Sequence, residues 1–306
     1  MATAGHHRLC RSHLFAPGNN ERLLAKVFDA GADAVVLDLE DAVAPDAKAA
    51  ARSLVAGVLP TRVGHPSPLV AVRINGIDTA WWRDDLAAVV VTGLQIIRIP
   101  KAESAAQLEE ASAVIADLEL ARGMAAGTII LVATIESAAG VMAAAEMARV
   151  PRLQSFAFGA TDFVRDIGAD PASSDLATLY ARQHLVLVSR AAGIHPPIAS
   201  VHTQVKDLEA LRRTTDEARA IGFFGRSCIH PAQVPVVNEV FTPGPAQVLA
   251  ARTMLDAWHD AMARGIAAFT MPDGQFVDEA VVRRARAVVE LADALEKGPI
   301  DGSAQS

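Results

Sequence analysis

Eight short apolar runs punctuate the chain: SHLFAPG, AVVLDLED, LVAVRIN, LQIIRIPK, IILVATIES, LQSFAFGATD, PPIASVH and GRSCIHP. Most are continuously hydrophobic instead of alternating, the pattern of strands covered on both faces in a parallel sheet. Between them, segments of helical period rich in Ala, Leu, Glu and Arg predict helices at about 19–30, 45–57, 80–92, 104–121, 137–149, 175–193, 206–221 and 231–241. Each has room for one right-handed crossover. Eight such units over residues 1–242 predict an α/β chain folded as a (β/α)8 TIM barrel. A doubly wound sheet could also hold eight strands, but no G-x-G-x-x-G stands at any strand–helix junction.

Beyond Thr242 the pattern changes. PGPAQV reads as a turn into an amphipathic helix running to about Arg264, GIAAFTMPDGQFVD as a hairpin around Asp273–Gly274, and residues 279–297 as a last helix. Residues 243–306 are thus expected to form a helix–hairpin–helix extension that packs on its own barrel or on a neighbouring subunit. The end, GPIDGSAQS, is expected to fray.

Composition narrows the partners. With 306 residues, 51% of them hydrophobic and 21% charged, the chain can bury a large core. A net charge of −7 argues against non-specific binding to nucleic acid or anionic membranes. Cys10 and Cys228 are the only cysteines, too few for a disulfide framework or thiolate metal site. The start, MATAGHHRLCRSHLF, lacks an apolar signal core, and no run approaches the roughly 18 apolar residues of a membrane span. A cytoplasmic location is the expectation.

In a barrel the reactive face is built at the carboxyl ends of the strands. Polar residues gather there: Asp38, Glu40 and Asp41, then Arg73 and Asn75, Arg98 and Lys101, Glu136, Asp162, and finally His230. Carboxylates converging on one rim repel one another unless a cation lies between them, and a few hard oxygens suit Mg2+. Glu136 and Asp162, on neighbouring strands, are the natural pair; the alternative is that each acid caps the following helix or pairs with an arginine. A guanidinium at the depth of Arg73 needs a carboxylate or phosphate, either from a substrate or from Glu40 in a structural network. Lys101 suits a Schiff base or an anion contact. His230 is read as structural, and no P-loop or G-x-S-x-G signature occurs.

The segments RSHLFAPGNNERLLAKVFDAGADAVVLDLEDAVAPDAKAAAR, VRINGIDTAWWRDDL, IPKAES, IESAAGV, FAFGATDFVRDIG and GFFGRSCIHPAQV, in that order, resemble the citrate lyase β-subunit-like branch of the HpcH/HpaI aldolase superfamily. The resemblance implies a carbon–carbon lyase that uses Mg2+, or Mn2+ in its stead, on a 3-hydroxyacyl thioester of CoA such as malyl-CoA or citramalyl-CoA. It implies that Glu136 and Asp162 are the metal ligands and that Arg73 holds the carboxylate of the keto-acid half, with Arg11 and Thr161 among the substrate-binding residues. Glu40 and Asp41 would orient metal-bound water and engage Arg11. A catalytic acid from the C-terminal segment, Asp278 here, would act in the site of an adjacent subunit, making the chain a homo-oligomer, a trimer or hexamer.

Some features depart from that pattern. The Pro that usually follows the motif Asp is missing from DEA at 278–280, and near the rim Ala199 and Gln204 stand where acids are common and Arg226 where Lys is common. The resemblance leaves three alternatives: the citryl-thioester lyase subunit of a citrate lyase complex, an aldolase for free 2-keto acids, and a catalytically silent homologue.

Overall fold

The apolar runs fold as strands because β-branched and aliphatic side chains can be buried on both faces only when helices cover the sheet. The computed structural model describes residues 9–65 and 67–296. In chain order these begin β1 (Ser12–Pro17), α1 (Glu21–Lys26), β2 (Ala34–Asp38), α2 (Lys48–Val58), β3 (Leu69–Arg73), α3 (Trp82–Val89), β4 (Ile96–Ile99) and α4 (Ala105–Ala121). They continue with β5 (Ile130–Ile135), α5 (Ala138–Met147), β6 (Leu153–Phe158), α6 (Ala160–Asp166), α7 (Ser174–Ala192), α8 (Leu208–Ala220), β7 (Arg226–Cys228) and α9 (Gln233–Phe241).

The seven strands form one parallel sheet in the order β6-β5-β4-β3-β2-β1-β7. The sheet curls. Its two edges are bridged by consecutive residues, one edge to each: Phe158 N donates to Ile198 O at 3.0 Å and Ile198 N to Phe156 O at 2.9 Å, while Ala199 N donates to Gly225 O at 2.9 Å and Ser227 N to Ala199 O at 3.0 Å. The run PPIASVH, predicted as a full strand, is therefore reduced to isolated bridges at Ile198 and Ala199. Pro196 and Pro197 ahead of it have no N–H to give a ladder.

Side-chain alternation determines what the curled sheet encloses. Ala34 and Val36 of β2, Leu69 and Ala71 of β3, Ile96 of β4, Ile130 and Val132 of β5, Ala157 of β6 and Ile198 form one apolar cluster, with Phe15 against it. Two residues further along the same strand faces stand Asp38, Arg73, Arg98 and Thr134, and two beyond Thr134 stands Glu136. The inner face is thus apolar towards the amino ends and ionic at the carboxyl ends.

Helix starts follow local capping chemistry. Ser104 and Gln107 form a reciprocal capping box on α4, Ser137 caps α5, and Asp207 caps α8. The helix expected at 19–30 stops at Lys26 and continues as a 3-10 turn over Val27–Asp29. The sequence pattern predicts that the run FAFGATD ends a strand. It breaks at Gly159, and Ala160–Asp166 form the short helix α6.

The chain separates into two compact units, Met1–Val240 and Phe241–Ser306. Within the second, α10 (Pro245–Ala263) is followed by β8 (Phe269–Thr270) and β9 (Phe276–Val277), paired antiparallel, and by α11 (Glu279–Glu296). Trp258, Val277 and Val282 form its buried cluster, with Met254, Leu255, Phe269 and Met271 against them. The predicted last helical residue, 297, and the expected frayed tail lie outside the described residues. Among the described residues no helix is long and apolar enough to cross a membrane.

Candidate active site

Glu136 follows β5 directly and is 7% exposed. Its Oε1 accepts the backbone N–H of Lys101 at 2.7 Å. Lys101 makes that contact from a left-handed conformation, φ 49°, a strained state for a residue with a Cβ. On the other side Gly159 leaves room: a Cβ there would lie 2.6 Å from Glu136 Oε2. Burial pushes the Glu136 carboxyl up to about 7, opposed by the Lys101 N–H and reinforced by the charges of Glu40 and Asp162.

Asp162 sits in the first turn of α6, not on a strand end, and its carboxylate is paired with Arg165 at 2.7 Å. Glu136 and Asp162 line one cavity of about 290 Å³ together with Asp78, Lys101, Glu103 and Arg165. Among the described residues no group of three His, Cys, Asp or Glu side chains that could hold a metal forms. The donor set is a carboxylate pair, which suits a hard divalent cation that keeps water or substrate in its other positions. The fit rests on Glu136: a buried carboxyl raised by neighbouring carboxylates gains from a cation placed among them.

Arg73 needs an anionic partner, and the structure supplies several. Its Nε and NH2 grip Asp38 bidentately at 2.7 and 2.6 Å. NH1 lies 2.8 Å from Glu40 Oε2 and 3.7 Å from Asp41. The Glu40 contact is an ion pair without an aligned hydrogen bond, since Oε2 accepts none. Although burial works against its charge, Asp38, Glu40 and Asp41 together raise the Arg73 pKa. Two of its five N–H groups go to Asp38, so a ligand carboxylate has to use the opposite edge.

Lys101 Nζ donates to Glu40 Oε1 at 2.6 Å and lies 3.7 Å from Asp41. Burial opposes its charge, but Glu40 outweighs this and keeps the amine protonated. Of the two roles open to Lys101 in the sequence, an ionic contact is the one the structure shows. Glu40 in turn is raised, chiefly by burial, with Arg73 and Lys101 acting the other way.

Arg98 was legible only as a rim arginine. It is 5% exposed, bonded through Nε to Thr134 Oγ1 and through NH1 to Ser227 Oγ, both at 3.1 Å. Burial, followed by the charge of Arg73, lowers its pKa to about 9. The guanidinium carbons of Arg98 and Arg73 lie 5.0 and 5.2 Å from the ring centre of Phe15. Sequence reading missed Phe15 and, although it placed Asp38 at the rim, missed the pairing of Asp38 with Arg73. The alternation in SHLFAP and AVVLD, carried through to register, was the signal that could have found them.

Two placements, those of Arg11 and Arg226, need correcting. Arg11 does not engage Glu40 or Asp41: its Nε and NH2 grip Asp33, each at 2.8 Å, at the amino ends of β1 and β2, the opposite end of the sheet from Glu136. Thr161 lines a separate and larger cavity, not the one holding Glu136. Arg226, taken as a rim residue, opens β7 level with Ser12 at the start of β1. His230 is exposed, and its Nδ1 accepts from Ala232 N within its own turn. Asp278, in the second unit, caps α11 by accepting from Ala280 N and Val281 N, each at 3.0 Å.

Comparison with known proteins identifies the family. The family model described as HpcH/HpaI aldolase/citrate lyase matches residues 11–231. The citrate lyase subunit beta of Leuconostoc mesenteroides subsp. cremoris is 38% identical over 288 residues, covering 94% of each chain. A (3S)-malyl-CoA thioesterase of Cereibacter sphaeroides is 36% identical over 285 residues, 93% of this chain and 95% of that protein. The crystal structure of the protein CitE from Mycobacterium tuberculosis, in complex with magnesium, acetoacetate and coenzyme A, superposes with a TM-score of 0.74 at 32% identity, covering 92% of this chain and 98% of that one.

Proposed function

Because the chain belongs to the HpcH/HpaI aldolase/citrate lyase family, we propose that it is a Mg2+-dependent carbon–carbon lyase of CoA esters. It cleaves, or forms, a 3-hydroxyacyl-CoA such as malyl-CoA or citramalyl-CoA, giving an acyl-CoA and a 2-keto acid. The observation that carries this reading is the buried Glu136 carboxyl, raised to about 7 beside Glu40 and Asp162 and facing the same cavity as Asp162. The CitE structure with magnesium and coenzyme A supports it from outside the chain. The same reading takes the curled sheet, tied at both edges to Ile198 and Ala199, as a closed (β/α)8 barrel.

Cleaving the bond between the carbinol carbon and the thioester α-carbon removes a hydroxyl proton and leaves enolate charge on the acyl half. When bound, Mg2+ supplies Lewis acidity to the hydroxyl and carboxylate oxygens of the substrate. Glu136 and Asp162 would hold it, with Asp162 giving up its Arg165 partner. Arg73, locked by Asp38, presents its remaining edge to the keto-acid carboxylate. Lys101 keeps Glu40 ionised and in place. Arg98, buried and in no ion pair among the described residues, is a cation available to developing negative charge. Asp278, supplied by a neighbouring subunit of a homo-oligomer, returns or removes the proton at the α-carbon next to the thioester carbonyl.

A screen of acetyl-CoA and propionyl-CoA against glyoxylate, pyruvate and oxaloacetate, read by mass spectrometry with and without Mg2+, tests the proposal. One pair is expected to condense only with Mg2+, and Asp278→Asn to slow turnover while leaving Mg2+ binding intact. No product from any pair, and no cleavage of the corresponding hydroxyacyl-CoA, would contradict it. The 38% identity to a citrate lyase subunit beta favours one second reading, a citryl-thioester lyase subunit. That reading predicts turnover only when an acyl-carrier partner presents the thioester.

A further inference from the structure

A second cavity, of about 780 Å³, lies in the first unit between α6, α7, α8 and residues 199–203. Of its lining residues only Arg165 also borders the cavity of Glu136. Arg226 forms part of its wall and is 6% exposed. NH1 of Arg226 donates to Thr215 Oγ1 at 2.9 Å, whereas Nε is buried and bonded to nothing. The Nε–NH2 edge, the fork that matches the two oxygens of a carboxylate, carries no hydrogen bond among the described residues.

Two further groups face the same space. Arg182 is in no ion pair among the described residues; its guanidinium carbon rests 5.9 Å from the ring centre of Phe223. His202 presents a buried Nε2 that also has no partner. Asp175 and Glu217 line the cavity as well, but neither reaches either arginine, and Glu217 is bonded to Arg213 at 2.8 Å. A buried guanidinium cannot shed its charge at neutral pH, and an unsatisfied donor there costs on the order of 1–3 kcal/mol. The chain leaves Arg226 in this condition, with the half-buried Arg182 in no ion pair among the described residues, around a space of ligand size, which for small molecules runs from about 300 to 1,000 Å³.

We propose that this cavity binds an organic oxyanion, a carboxylate or phosphate whose head meets Arg226 and Arg182 and whose apolar body lies against Phe158, Val164 and Phe223. The volume exceeds what a bare inorganic anion fills, and Phe158, Val164, Ala199 and Phe223 give the body an apolar wall. The site is distinct from the one proposed for Mg2+ and the keto acid, so it does not depend on that assignment.

Calorimetry and thermal unfolding of the full chain without Mg2+ test it, with phenylacetate and phenyl phosphate as matched probes and benzyl alcohol as the uncharged control. At least one charged probe is expected to bind saturably and raise the unfolding temperature, while benzyl alcohol does neither. Which of the two binds more tightly assigns the head group. Arg226→Lys and Arg182→Gln are each expected to weaken binding at least tenfold, and Glu136→Gln to leave it unchanged. If Arg226→Lys fails to fold, the half-buried Arg182→Gln decides alone. Absence of binding by both charged probes, undiminished binding by the arginine variants, or displacement of the probes by saturating coenzyme A would overturn the proposal.

Discussion

At the residue scale, Glu136 ties chemistry to stability. Its native pKa, about 7, lies above the ordinary carboxylate value of 4.5 because of burial and neighbouring carboxylates. The folded chain therefore holds this proton more tightly than the unfolded chain does. The stabilising contribution is complete below the ordinary value and is lost as pH rises from there through about 7. In metal-free protein, urea unfolding across pH 4.5–8 is expected to show this fall, and Glu136→Gln to remove that part of it; identical profiles would refute the assignment. Gly159 is the steric counterpart. A Cβ there would meet Glu136 Oε2 at 2.6 Å and Glu136 Cβ at 2.7 Å, so Gly159→Ala is expected to cost roughly 1–3 kcal/mol by overpacking. It should also weaken Mg2+ binding tenfold or more, both read on the same preparation. At this scale the sequence showed that Arg73 needs an anionic partner, but its main partner is Asp38, which sits opposite Arg73 in the β2–β3 register. Pairing of that kind depends on register, which a single chain read linearly does not display.

At the element scale, strand existence was legible because buried parallel strands are uninterrupted apolar runs. The exceptions have local causes. Prolines 196 and 197 cut one strand to two bridging residues, and the break at Gly159 released residues 160–166 into a helix that carries Asp162. The α4–β5 connection shows how elements are locked to one another. Glu119, fully buried near the end of α4, accepts from Arg152 NH1 and NH2 at 3.0 Å and from the backbone N–H groups of Gly127 and Ile129 at 3.0 and 2.8 Å. Burial opposes its charge, but Arg152 and the two N–H groups outweigh it and lower its pKa. Glu119→Ala strands a buried guanidinium and two donors beside β5, the strand that leads into Glu136. It is expected to destabilise the fold by about 3–5 kcal/mol, measured by chemical denaturation; a loss below about 1 kcal/mol would contradict the clamp.

At the scale of the whole molecule, the sheet sorts its inner face, with aliphatic side chains from β2 to β6 towards the amino ends and Asp38, Arg73, Arg98 and Glu136 at the carboxyl ends. Continuous apolar runs that finish in or beside a charge, such as AVVLDLED, LVAVRIN, LQIIRIPK and IILVATIES, made this arrangement legible before any coordinates. The end of the sheet to which Arg11 belongs was not legible, because the residue just before β1 lies beside Asp33 at the amino ends. The C-terminal unit has its own buried cluster around Trp258. The central claim is that Glu136 and Asp162 hold a divalent cation, and calorimetric titration of the metal-free protein with Mg2+ tests it most directly. One saturable site per chain is expected in the wild type, weakening as pH falls below about 7, with loss of at least tenfold in affinity in both Glu136→Gln and Asp162→Asn. Absence of binding in the wild type, or binding undiminished in both variants, would contradict the account.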